Sequence, residues 1–307
     1  MTPIRVLFLL LVLALPARAA DALFPPAFRV GLVPPAGLVL SKDFPGFEDA
    51  ERKVAIVVAE LPPPAYYELE RAVFSEKPNL QIVIEKRELL SHENGLAMLV
   101  TGYQGEGAAR VRKWMLFTLI ADLTALVTVQ MPEAAVTTYP AGAIRAALAS
   151  ITFRPPPIDE QLKLLPFRLS ELAGFRVFRA LPEGVAMLTD GPNPDDFLAQ
   201  PHLIVSAARG GPQQAADREN FARRMFAVPQ GLNGRITGAE AMRIGGQPGF
   251  EIQAEATDPK SGALFTVVQW LRFGPGGYLR VVGIAKKEAW PQMFPRFRAI
   301  RDGVEAQ

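Results

Sequence analysis

Phe28–Phe74, FRVGLVPPAGLVLSKDFPGFEDAERKVAIVVAELPPPAYYELERAVF, and Phe175–Phe221, FRVFRALPEGVAMLTDGPNPDDFLAQPHLIVSAARGGPQQAADRENF, are the two stretches on which the reading of this chain turns. Laid over one another without a gap at a spacing of 147, they share eleven of 47 residues. The identities are Phe28/Phe175, Arg29/Arg176, Val30/Val177, Pro35/Pro182, Gly37/Gly184, Asp43/Asp190, Pro45/Pro192, Asp49/Asp196, Val58/Val205, Arg71/Arg218 and Phe74/Phe221. Chance at average composition gives roughly three. Beyond the block the order persists, with Gly95 answering Gly249, Trp114 answering Trp270 and Pro140 answering Pro295. The added residues of the second copy fall in Gly231–Gly246 and Asp258–Gly262, stretches that read as turns, where extra length costs little. The chain therefore reads as one domain copied twice, which also suits its 307 residues, about twice the usual domain size.

Each copy opens with a strand, a Pro-x-Gly turn (Pro35-Ala36-Gly37, Pro182-Glu183-Gly184) and a second short strand. The apolar runs Val54–Val58 and Leu203–Val205 are too short for helices and read as buried strands. Helices follow at Ala65–Phe74 and Gln213–Phe226. A three-strand meander comes next, at 96–103, 110–119 and 125–130 in the first copy and 250–256, 264–273 and 278–285 in the second. Gly105-Glu106-Gly107 and Gly274-Pro275-Gly276-Gly277 supply the reversals. Trp290, Met293, Phe294, Phe297, Ile300 and Val304 advance by threes and fours, the apolar stripe of a closing helix. Strand runs interrupted by a few helices predict an α+β fold: two tandem copies of an antiparallel sheet flanked by helices. Arg154-Pro155-Pro156-Pro157 sets the boundary, since consecutive prolines favour a stiff extended spacer. The expected organisation is a leader at 1–19, a first repeat at 20–154, a Pro-rich linker at 155–166 and a second repeat at 167–307.

This element order, from about Phe28 to Ile151 and again from Phe175 to Val304, resembles the PsbP-like fold, an antiparallel sheet sandwiched between helices. That fold occurs in photosystem extrinsic subunits, in a Ran-binding family and in exported bacterial proteins. The resemblance rests on element order and turn placement, and no functional motif of the family is matched. It implies a binding or assembly module without catalysis.

Arg5 followed by the apolar run Val6–Leu15 and by Ala17-Arg18-Ala19 reads as a secretory signal peptide cut after Ala19, with Ala22 the second choice. Ten apolar residues are too few to span a bilayer, so no stable span remains after cleavage and a periplasmic or secreted location is expected. Cleavage removes Arg5 and Arg18 and leaves 31 basic against 31 acidic residues. A neutral mature chain has no basic excess for nucleic acid. With no cysteine there is no disulfide, no thiolate metal site and no cysteine nucleophile.

The chemistry-bearing residues are few. His92 and His202 occupy non-equivalent places and neither sits in a metal-ligand spacing. No nucleophile elbow, phosphate-binding loop or dinucleotide fingerprint appears. Asp43, Glu48, Asp49 and Glu51 in one copy, and Asp190, Asp195 and Asp196 in the other, read as one recurring acidic loop. Such a loop serves either as oxygen ligands for a cation or as turn and cap residues. Phe44 and Phe47 beside it are either partner anchors or core. No catalytic, cofactor or metal residue is assigned, and no cofactor is expected. The leading expectation is an exported, non-catalytic tandem-domain protein that binds a protein partner or a small apolar ligand. The alternative is a hydrolase or lyase using the acidic loop and His202, which requires Asp195, Asp196 and His202 to converge in a pocket.

Overall fold

The computed structural model describes residues 21–75, 82–120, 122–181, 183–194, 196–212 and 214–307. The predicted leader lies outside them. Two compact units result, one running to Arg154 and the other starting at Pro155.

The first unit contains β1 (Val30–Gly31), β2 (Val39–Leu40), β3 (Gly46–Asp49), β4 (Val54–Leu61), α1 (Ala65–Phe74), β5 (Val83–His92), β6 (Gly95–Gln104), β7 (Val111–Ile120), β8 (Leu123–Pro132), α2 (Ala141–Ala149) and β9 (Thr152–Phe153). Seven of the strands form an antiparallel sheet in the order β2-β3-β4-β8-β7-β6-β5, while β1 pairs with β9 apart from it. The second unit begins with α3 (Ile158–Leu162) and then repeats the plan. Its elements are β10 (Phe167–Leu169), β11 (Arg176–Leu181), β12 (Val185–Thr189), β13 (His202–Arg209), α4 (Arg218–Met225), β14 (Asn233–Ile244), β15 (Gln247–Thr257), β16 (Leu264–Gly274), β17 (Gly277–Lys286), α5 (Trp290–Asp302) and β18 (Val304–Ala306). The sheet order is β11-β12-β13-β17-β16-β15-β14, and β10 pairs with β18.

Alternation along the central strands feeds a core on each face of each sheet. In β7, Leu116 packs with the core under α2, which includes Ile144 and Leu148, whereas Phe117 joins Val73 of α1 on the opposite face. In β16, Trp270 packs under α5 with Phe297 and Ile300, whereas Leu271 and Phe273 meet Ala222 of α4. The stripe read from Trp290 to Val304 is thus a core face. Gly283 of β17 makes the packing close: a Cβ there would lie 2.8 Å from the Phe297 ring.

Three departures from the sequence reading are informative. First, the two copies correspond element by element, but the ungapped spacing of 147 holds at β4 and β13 and not before them. The turn that closes on Leu38, whose N–H donates to the Pro35 carbonyl, matches the one that closes on Phe175, whose N–H donates to Leu172, and these lie 137 positions apart. Strand β1 therefore corresponds to β10 and not to the Val177 segment. A long loop between β12 and β13 restores the spacing, since β3 and β4 are joined by a short turn.

Second, each meander has four strands. The missed members, β5 and β14, are edge strands exposed along most of their length, so burial imposes no alternation on their sequences. The Gly231–Gly246 stretch is mostly β14 and not an inserted turn, and helix α4 is shorter than the span 213–226. Gly234 is needed within β14 because a Cβ would lie 2.4 Å from the Val228 side chain. Third, the Pro-rich segment is no extended spacer: α3 forms inside it and Leu165 is buried in the second core.

Candidate functional site

The acidic residues do not form one recurring loop. Asp43 lies in the turn between β2 and β3, whereas Asp190 and Asp196 lie in the loop between β12 and β13. Asp49, at the end of β3, accepts hydrogen bonds from the Tyr139 hydroxyl (2.7 Å) and from Arg52 Nη1 (2.9 Å). These two donors, the Tyr139 hydroxyl first, hold its carboxyl below the ordinary range. Asp190 pairs with Arg296 of α5. Asp196 accepts the N–H groups of Leu198 (3.1 Å) and Ala199 (2.9 Å), a local turn. No group of three His, Asp or Glu side chains suited to a metal ion occurs among the described residues. Phe47 is fully buried in the first core and Phe44 half-buried.

His202 is 1% exposed, at the start of β13. Its ring stacks on Phe197 at 4.2 Å and meets the edge of Phe178 at 5.8 Å. Nδ1 lies 2.9 Å from the Gln200 carbonyl and Nε2 3.1 Å from that of Pro194. Both nitrogens lie against backbone carbonyls of the loop, so the ring clamps it, and no carboxylate among the described residues is bonded to it. Asp195 lies outside the described residues, and Asp196 is turned to its own loop. His92 places Nε2 3.4 Å from the Thr118 hydroxyl, and partial burial lowers its pKa.

A concave feature lies in the second unit, lined by residues to which the sequence reading gave no functional role. An open cleft of about 1200 Å³ forms where the end of β13, the Gly274–Gly277 hairpin and the Gly245 turn approach β18 and the segment Leu164–Pro166. Register defines part of its lining. Gly249, Arg272, Leu279 and Ala207 lie opposite one another on β15, β16, β17 and β13. Arg272, Leu279 and Ala207 line the cleft together with Pro166 and Val304. The place beside Gly249 in the row is filled by the buried Ile244 side chain, since a Cβ there would lie 2.9 Å from Ile244 and from the Leu271 carbonyl.

Electrostatics single out Arg272. Burial lowers its pKa from the ordinary guanidinium value, with Asp302 pulling the other way. Asp302 itself is gripped by Arg301, Nε to Oδ1 at 2.8 Å and Nη2 to Oδ2 at 3.0 Å. Glu305 is held by Arg168 at 2.5 Å. Among the described residues Arg272 has neither a hydrogen bond nor an ion pair, and Arg209 at the rim is likewise unpaired. Two free arginines therefore face one free carboxylate of the lining, Glu183.

The corresponding row of the first unit is chemically closed. Counting back 147 positions from Ala207 reaches Glu60, opposite Ala125 of β8, which lies opposite Thr118 of β7. The Glu60 carboxylate accepts the N–H groups of Arg29 and Val30, tying β1 down, and Thr118 donates to the Leu96 carbonyl at 3.2 Å. Ala207 and Arg272 stand at these places in the second unit: the Ala207 methyl packs against the core, and the Arg272 guanidinium has no hydrogen-bond partner among the described residues.

No protein-family model and no curated protein matches the sequence. Solved structures similar to the chain include LpqN of Mycobacterium tuberculosis, described as involved in cell envelope biogenesis. It shows 18% identity over 45% of this chain and 82% of that one, with a TM-score of 0.36. A cyanobacterial PsbP from Synechocystis shows 11% identity over 46% and 91%, with a TM-score of 0.32. The immunity protein TplEi of the T6SS from Pseudomonas aeruginosa shows 10% identity over 93% and 97%, with a TM-score of 0.28. These are likenesses of fold. The tandem α+β architecture itself rests on the strand pairing within the chain, which builds a seven-stranded antiparallel sheet twice, each flanked by helices.

Proposed function

We propose that the chain is an exported, non-catalytic binding protein and that its second unit holds a small, largely apolar ligand in the cleft beside β18. The observation that carries this reading is the cleft over the row Arg272–Leu279–Ala207, where a half-buried Arg272 and Ala207 flank the buried Leu279, whereas at the counterpart row of the first unit the Glu60 carboxylate takes two backbone N–H groups. Apolar walls with a few convergent polar groups are the usual make-up of a small-molecule site. A non-catalytic role is supported by His202, whose ring nitrogens lie against backbone carbonyls, and by Asp196, whose Oδ1 accepts two N–H groups of its own loop. Export is supported by the leader-like sequence at 1–19.

Expression of the full chain, followed by N-terminal sequencing and cell fractionation, tests export; a product that keeps Met1 and stays in the cytoplasm refutes it. For binding, the purified protein is extracted with organic solvent and the extract analysed by mass spectrometry beside that of Ala207→Trp, which narrows the cleft. An apolar small molecule recovered with the wild type and lost in A207W is expected. Repeated recovery of the wild-type chain alone counts against a ligand-binding role.

A further inference from the structure

Resting on that reading, we infer that the ligand of the cleft is an amphipathic carboxylate, an apolar body lying along Leu164, Pro166 and Ala207 with its anionic head on Arg272. Four observations lead there. Arg272 lies in the cleft lining and is only partly exposed, so water solvates it incompletely. It has no acceptor among the described residues, and a partly desolvated guanidinium without an acceptor is costly to keep. Asp302 and Glu305, the lining carboxylates beside β18, are already held by Arg301 and Arg168. What lies next to Arg272 across the sheet is apolar, Leu279 and then Ala207. The planar fork of an arginine matches a carboxylate with two parallel hydrogen bonds, which a hydroxyl or an ester cannot reproduce. The charge thus selects the head group, and the adjoining apolar wall selects a body that prefers to leave water.

The test is a competition measured on the full chain with a dansyl-labelled undecanoic acid as fluorescent probe. Lauric acid and dodecanol, which share an apolar chain length but not a charge, serve as competitors near neutral pH. In the wild type lauric acid is expected to displace the probe about tenfold to a hundredfold better than dodecanol, the range of one charge-assisted contact. Arg272→Leu is expected to remove that preference while keeping dodecanol affinity, Arg272→Lys to keep part of it, and Arg209→Leu to keep most of it. Equal displacement by acid and alcohol in the wild type overturns the head-group assignment and needs no variant to fold. Loss of the preference in R209L but not in R272L overturns the choice of Arg272. In both cases a probe that binds the wild type and not A207W leaves the binding reading standing. A probe that does not bind the wild type sinks both.

Discussion

Glu251 offers a sharp test of the packing that supports the cleft. Its carboxylate, 6% exposed, accepts the Trp270 indole N–H at 2.5 Å and the Gln253 amide at 2.6 Å. Trp270 is 1% exposed and stacks on Phe294 of α5, beneath the wall that carries Arg301 and Val304. Glu251→Leu leaves the indole N–H in the core with no acceptor. An orphaned buried donor costs about 1–3 kcal/mol. In a unit of this size each kcal/mol moves the melting temperature by about 2–4 °C, so about 2 kcal/mol lowers it by about 4–8 °C. Glu251→Gln keeps a carbonyl acceptor at the same place and should cost about 1 kcal/mol or less, the worth of a neutral hydrogen bond. The assay is thermal unfolding followed by tryptophan fluorescence in a Trp114→Phe background, which leaves Trp270 and Trp290, both in the second unit, as reporters. The reasoning fails if E251L melts with or above its parent, or if E251Q loses as much as E251L, because either result means that the indole needs no acceptor there.

Three further outcomes follow from the geometry. Burial raises the Glu60 carboxyl above its ordinary 4.5, the Arg29 and Val30 N–H groups pulling it back. The folded chain therefore binds more proton than the unfolded one between the two values, and this group's contribution to stability falls as pH rises through the folded pKa. Glu60→Gln should flatten that fall in urea midpoints taken from pH 4.5 upward, and a curve parallel to the wild type would refute it. Gly283→Val places methyl groups against the Phe297 ring and should destabilise the second unit by about 1–3 kcal/mol in urea melts; an unchanged midpoint means that α5 does not pack there. His202→Leu removes the ring's polar contact with the loop carbonyls, so the loop 190–201 should become the first site of limited proteolysis while β16 and β17 keep their hydrogen-exchange protection. Unchanged cleavage of that loop denies the clamp.

The parts of the fold legible in the sequence were those whose faces are buried. Val54–Val58, Leu264–Phe273 and the stripe on α5 show period two or period three-to-four because a core lies on one or both sides of them. Strands β5 and β14 were illegible because an exposed edge places no demand on its side chains. The repeat was visible, but its register misled. Val58 and Val205 do occupy matching central positions, opposite Val127 and Val281. The identities at Phe28/Phe175 and Asp49/Asp196 nevertheless join residues that do different things, since Asp49 meets Tyr139 and Asp196 caps a turn. The cleft was invisible for another reason. Arg272 is one arginine among many in one dimension, and only cross-strand register sets it beside Leu279 and Ala207. The available signal was Gly249, a glycine within an apolar strand, which marks a place where a side chain is not tolerated.

The contrast between Glu60 and Ala207 explains how two copies of one sheet come to differ in use. In the first unit a carboxylate at that point of the central strand takes two backbone N–H groups and fastens β1 over the row, so burial there is self-sufficient. Alanine in the second unit removes both the volume and the acceptor. Strand β10 keeps its ladder with β18, Phe167 to Ala306 and Leu169 to Val304, as β1 keeps its own with β9, but has no such carboxylate beneath it among the described residues. The strip of sheet below is then left open, and an arginine stands at the place of Thr118, whose hydroxyl is satisfied locally. A guanidinium cannot be satisfied by one backbone carbonyl, as that hydroxyl is, because it carries a charge and five donors. Removing one carboxylate and adding one arginine at matching positions thus changes the row from a closed polar contact into an open cation on an apolar floor. That change requires no catalytic group, and under the proposed function it is what would give the second unit a ligand preference without a counterpart at the same row of the first.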